Sequence, residues 1–226
     1  MIRTIEDLNH FYSNRNPENW NFARHYVPNF FESKFIVHWV YGIIAKFPFD
    51  EYPLQKETLR EINKRVKIER EFGVLLNDES LYEPISIIEL AKRFNVPFSH
   101  KTTKLIPDTP GTSPLEKLTL VKLRDSLEKL SKNSKLNLLI YDLDTYNYQN
   151  ELENEYFDIS VEKYFEIQQM FGFQLETCLF SENFEWCLTT AEDAPFLLGC
   201  KKEFVQEIEK AMTLELFRIN EEQEIY

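Results

Sequence analysis

The chain has 226 residues, 43% of them hydrophobic and 15% aromatic, with only 5 Gly. That composition excludes a disordered or linker-like chain and is enough to bury a real core. The formal net charge is −12, and an odd count of 3 Cys without disulfide-framework spacing points to a soluble cytoplasmic protein with free thiols.

The first residues, 1–4, run into polar sequence, so no signal peptide is expected. Thr4-Ile5-Glu6-Asp7 reads as a helix start of capping-box type, followed by Leu8, Phe11 and Tyr12 and broken at Pro17 and Asn19. Residues 20–52 are dense in rings, and Ser33 is placed to cap a buried helix over 35–46 that stops before Pro48. The apolar run 35–45 is interrupted by His38 and is too short to span a bilayer. His25 and His38 are expected as satisfied core histidines rather than catalytic groups.

The stretch 54–72 predicts an amphipathic helix with Leu59, Ile62, Val66 and Phe72 inward. Arg60, Lys64, Arg65, Lys67 and Arg70 are answered there by Glu57, Glu61, Glu69 and Glu71, which describes a solvated, ion-paired face. Residues 85–105 resemble a helix-turn-helix, with Ala91 at the close packing point and Asn95 at the left-handed turn position. That resemblance implies a DNA-binding regulator in which Ser99, His100, Lys101, Thr103 and Lys104 face the groove. Pro97, Phe98 and Pro107 crowd it, and the overall acidity weighs against nucleic acid.

Residues 107–114, with three Pro and one Gly, predict an exposed loop before a second amphipathic helix over 115–132 with Leu118, Val121, Leu127 and Leu130 packing. A strand over 137–143 ends in Tyr141-Asp142-Leu143-Asp144-Thr145. This resembles the first motif of haloacid-dehalogenase-type phosphatases, which implies Asp142 as nucleophile, Asp144 as acid/base and a magnesium ion. The match covers about seven residues, and Thr145 and Tyr146 depart from the motif. Residues 144–158 form an acidic loop rich in tyrosine without the glycine of a calcium loop.

Ser160 caps a helix over 161–171 that ends at Gly172. Residues 173–200 predict a β-meander. With Glu182-Asn183 as a two-residue hairpin loop, Leu179 faces Trp186 and Cys178 faces Cys187. One face then carries Leu175, Leu179, Phe184, Trp186 and Leu188 as core. The other carries Glu176, Cys178, Phe180, Glu185, Cys187 and Thr189 as an acidic face with one bare aromatic. A closing helix is expected over 201–217, and 220–226 is an acidic tail.

No glycine-rich phosphate loop, zinc spacing or nucleophile elbow is present. All four His lie at or before position 100 and all three Cys after 177. No catalytic residue, metal or cofactor is therefore assigned. The expected fold is α+β: a mainly helical region 1–135, and an acidic α+β region 136–226 with a small antiparallel sheet of three or four strands and flanking helices, sharing one core or not.

Charge divides sharply along the chain. Residues 1–136 carry 21 Lys+Arg against 18 Asp+Glu, and 137–226 carry 5 against 20. An asymmetry of this size speaks of partners rather than fold. From the Ser160-capped helix onward, the order of elements is similar to the ends of bacterial polymorphic-toxin immunity proteins. This resemblance implies a cytoplasmic protein that covers the active site of a basic toxin. The implied contacts are Glu151, Glu153, Glu155, Asp158, Glu176, Phe180 and Glu185, with Tyr146 and Tyr148 as aromatic anchors.

Overall fold

The computed structural model describes residue 6 and residues 26–54, 58–74, 78–99, 101–132, 134–141, 153–173, 175–190 and 196–219. The helix expected through Leu8, Phe11 and Tyr12 lies outside them, as do His25 and His100. In chain order the elements are β1 (Ser33–Val37), β2 (Tyr41–Ile43), α1 (Leu59–Glu71), β3 (Glu83–Ile85), α2 (Ile87–Arg93), α3 (Thr102–Leu105), β4 (Thr112–Pro114), α4 (Glu116–Ser131), β5 (Leu136–Ile140), β6 (Glu155–Ile159), α5 (Val161–Met170), β7 (Thr177–Ser181), β8 (Trp186–Thr190), β9 (Phe196–Cys200), α6 (Val205–Ala211) and β10 (Leu216–Ile219). The fold is α+β, with more sheet than the sequence suggested. A seven-stranded antiparallel sheet has the order β10-β1-β9-β8-β7-β5-β6, and a separate three-stranded sheet has the order β3-β2-β4. The chain forms two compact units, one from residues 1–38 with 120–226 and the other from 39–119.

The first unit is built on the large sheet, which takes strands from both sides of position 135. The helix expected over 35–46 is instead β1, a turn and β2. All five residues of β1 are buried, because it lies between β9 and β10 with both sheet faces covered. A strand buried on both faces reads as an unbroken apolar run and loses the alternation that would identify it. The expected closing helix is likewise shorter. A turn over Lys202–Phe204 leads into α6, and the chain then returns as β10 beside β1.

Both faces of the meander are buried, so the expected solvent face does not exist. Val27 and Phe31 cover Ile36, Leu139, Cys178, Phe180, Cys187 and Leu197 on one side. On the other side α5 buries Val161, Tyr164, Phe165, Ile167 and Gln168. The Ser160 hydroxyl accepts from the Lys163 N–H at 3.1 Å and starts α5 at the expected residue. The Arg124 guanidinium of α4 lies 4.8 Å from the Phe165 ring centre and 3.3 Å from the Glu162 carboxylate, which sets α4 beside α5.

The β7–β8 pairing is Phe180 with Cys187, Leu179 with Leu188 and Cys178 with Thr189. This is two residues from the expected register, because the link runs over Glu182–Glu185 with Phe184 left-handed at φ 52°. A shift of two preserves which side chains share a face; a shift of one would have exchanged them.

In the second unit β2 is the central strand, flanked by β3 and β4. Pro84 and Pro114 sit on the outer strands, where a missing ladder donor is tolerated. Gly42 lets two segments meet: a Cβ there would lie 2.5 Å from the Tyr82 Cβ and 2.8 Å from the Leu115 Cδ2. Two small cores form, one from Ile43, Ile87, Leu90 and Ile106, the other from Phe47, Tyr52 and Ile68. Thr58 and Glu61 close a full capping box on α1. The inward stripe expected on α1 is displaced, however. Ile68 is the helix residue that is buried, while Leu59 is 79% exposed and Ile62 39%.

Candidate partner-binding surface

Strand β5 positions most of the described acidic residues singled out from the sequence. Its last residues pair on one side with β6 and on the other with β7. The Ile140 N–H donates to the Asn154 carbonyl, and the Tyr141 N–H donates to the Glu176 carbonyl. Leu139 faces Glu155 on one flank and Cys178 on the other. Glu153, Glu155 and Glu176 therefore gather where β5 ends. Glu153 is exposed, and its N–H donates to the Tyr156 hydroxyl at 3.0 Å; Glu155 and Glu176 are half-buried.

Asp158 and Glu185 belong to the opposite end of the same strands. Leu136, at the start of β5, pairs with Ile159 and Ser181. Asp158 is left-handed at φ 56°, donates its N–H to the Asn137 side-chain carbonyl at 3.3 Å, and its carboxylate sits 3.7 Å from the Lys135 ammonium. Glu185 is half-buried; its N–H donates to the Ser181 hydroxyl at 2.8 Å and its carbonyl accepts from the Lys201 N–H. The sequence-derived contacts thus divide between two ends of the sheet. Tyr146, Tyr148 and Glu151 lie outside the described residues, as do Asp142 and Asp144.

Phe180 is not a docking aromatic. It has 0% exposure and stacks on Phe184 with ring centres 5.0 Å apart. Alternation placed it with glutamates, but in a sheet covered on both faces alternation does not separate core from solvent.

Several features required by the other readings are absent or differently built. Strand β5 has antiparallel neighbours on both sides, not the doubly wound arrangement that the phosphatase resemblance implies. Asn95 is left-handed at φ 54°, as the helix-turn-helix resemblance implies. The following helix α3 has only four residues, about 6 Å of helix, so it offers one turn to a groove. Among the described residues, no group of three or more His, Cys, Asp or Glu could hold a metal ion. All three thiols are buried and none forms a disulfide. Burial pushes the Cys187 thiol well above its usual range and the Cys200 thiol up to about 12, so neither is a ready thiolate.

Sequence reasoning missed two polar features of the core. The Gln168 amide of α5 donates to the hydroxyls of Thr177 and Thr190, each at 2.9 Å. Those hydroxyls are 2.7 Å apart, and Thr190 donates onward to the Leu175 carbonyl. Lys34 on β1 is 1% exposed and donates to the Asn29 side-chain carbonyl at 3.3 Å. Nothing in the local pattern distinguishes these residues from surface polar ones until the strands are paired.

The charge map is clearer in space than along the chain. The unit formed by 1–38 and 120–226 carries 14 Lys+Arg and 26 Asp+Glu, the whole net charge of −12. The unit formed by 39–119 carries 12 of each. Some carboxylates of the acidic unit are paired: Glu162 with Arg124, Asp158 with Lys135, Glu207 with Lys132 and Glu166 with Lys163. Comparison with protein-family models, with curated proteins and with solved structures yields no match to this chain.

Proposed function

We propose that the chain is a non-enzymatic binding protein whose acidic unit receives a basic protein, in the way an immunity protein masks a basic toxin. The observation that carries this reading is the confinement of all twelve net negative charges to one of two units. The described cross-links to Lys and Arg in this unit are at the surface, where such pairs contribute about 0–1 kcal/mol each and leave the field largely intact. Glu153, Glu155 and Glu176, brought together where β5 ends, belong to that unit. A field of this kind speeds encounter with an oppositely charged partner and rejects like-charged ones.

The test is stopped-flow association of the full chain with a panel of purified basic nucleases, using lysozyme as a basic control. Wild type should bind a member of the panel and inhibit it, with an association rate that falls as salt rises. The variant Glu151→Lys/Glu153→Lys/Glu155→Lys should associate about tenfold more slowly at low salt. Equal rates for variant and wild type would remove the argument.

A further inference from the structure

Helix α1 is anchored by one narrow side. Ile68 is buried, and the Glu69 carboxylate accepts from the Tyr52 hydroxyl at 2.5 Å. The Arg65 guanidinium stacks 4.7 Å over the Tyr52 ring and donates to the carbonyls of Pro53 and Leu54. Glu61 is held in the capping box with Thr58. Two of the helix's three carboxylates are therefore engaged in holding the helix itself.

What faces away from that anchor has a definite character. Leu59, Ile62 and Val66 follow an i, i+3, i+7 spacing and form one apolar rail, with Leu59 79% and Ile62 39% exposed. Arg60, Lys64, Lys67 and Arg70 are all exposed and form a cationic rail alongside it. On this outward arc of the helix Glu71 is the single carboxylate, and among the described residues Lys64 pairs with the exposed Glu51, at 3.8 Å. A helix whose acids are turned to structural use and whose cations and aliphatics are turned outward selects for a partner of opposite sign.

We propose that the outward face of α1 is a docking surface for an acidic amphipathic helix of a partner protein. Thirteen residues give a contact about 20 Å long. The a/d-like spacing of Leu59, Ile62 and Val66 suits an aliphatic seam on the facing helix, and the cations suit glutamates beside that seam. The rails lie side by side, and the apolar one holds no aromatic ring. A helix lying in a lipid surface presents a broad apolar face, typically with aromatic anchors, whereas Leu59, Ile62 and Val66 make a single narrow line, so the pattern favours a protein helix over a membrane. This surface is of opposite sign to the one proposed for the acidic unit and does not depend on it.

The experiment uses the full chain and a synthetic 21-residue helical peptide with Leu at heptad a and d and Glu elsewhere, read by fluorescence anisotropy. The same peptide with Lys for Glu, a random DNA duplex and vesicles rich in phosphatidylserine serve as competitors. The Glu peptide should bind at least tenfold more tightly than the Lys peptide. Leu59→Ser/Ile62→Ser should weaken it about tenfold, and Arg60→Glu/Lys67→Glu should weaken it similarly and flatten its salt dependence. Both variants change exposed residues, and unchanged circular dichroism will show that they fold. Equal binding of the two peptides, preferred binding to vesicles or duplex, or indifference to both variants would overturn the proposal. So would self-association of the chain that Leu59→Ser/Ile62→Ser abolishes, since the occupant would then be a second copy.

Discussion

His38 follows β1 with 3% of its surface exposed, and burial lowers its pKa from 6.5 to about 4. The sign of the consequence is fixed by which state holds the proton. Above pH 6.5 the ring is neutral whether the chain is folded or not, and stability is unaffected. Between pH 6.5 and 4 the unfolded chain takes up a proton that the folded chain refuses, so stability falls as the solution is acidified. The full loss is about 3 kcal/mol, reached near pH 4. Urea unfolding of wild type and His38→Gln at pH 7.5 and 4.5 checks this: wild type should lose about 2–3 kcal/mol more than the variant over that interval. Parallel losses would mean that the ring does not titrate as its burial requires. From the sequence, this histidine was legible as a core residue, because it interrupts an apolar run. Its neighbour Lys34 was not, since a buried lysine carries no mark until both flanking strands are in place.

At the scale of elements, β9 shows why a glycine stands in a wholly buried strand. Gly199 pairs with Cys187 and Lys34, and a Cβ there would run into Val27 and Phe31. The segment that covers this face of the sheet therefore sits directly on backbone. Gly199→Ala should cost about 1–3 kcal/mol through overpacking. In the double variant with Val27→Ala the loss should be smaller than the sum of the two single losses, as measured by chemical denaturation. Strict additivity would place the strain elsewhere.

The same scale explains what could be read in advance. Helices α1, α4 and α5 announce themselves through local signals: a Thr58 or Ser160 cap, a 3.6-residue period, a Gly172 terminator. Strands β1 and β10 do not, because their pairing and burial come from segments distant in sequence. The stripe Leu59, Ile62, Val66 has the right period for a core face, yet periodicity states only that a helix has two sides. Which side is buried depends on Tyr52 and its partners, and that information is tertiary.

For the whole molecule, the partition of charge has a consequence apart from any partner. A unit holding 26 carboxylates against 14 cations repels itself, whereas the unit with 12 of each does not. Self-repulsion opposes the compact state, and salt weakens it over a Debye length of about 10 Å at 0.1 M. Added salt should therefore protect the large sheet and leave the small one nearly unchanged. Hydrogen exchange followed by mass spectrometry resolves the two, because peptides covering β7 and β8 report the acidic unit and those covering β2 and β4 report the neutral one. Between 10 and 200 mM sodium chloride, exchange in β7 and β8 should slow about threefold to tenfold, roughly 1 kcal/mol of opening free energy. The change in β2 and β4 should be within error. The ion pairs linking Glu162, Asp158, Glu207 and Glu166 to Arg124, Lys135, Lys132 and Lys163 act in the other direction, since salt weakens each of them. They are surface pairs of small value, and an excess of twelve negative charges outweighs them. If both sheets respond to salt alike, the excess charge is not concentrated where it destabilises the acidic unit, and the electrostatic basis for a basic partner fails with it.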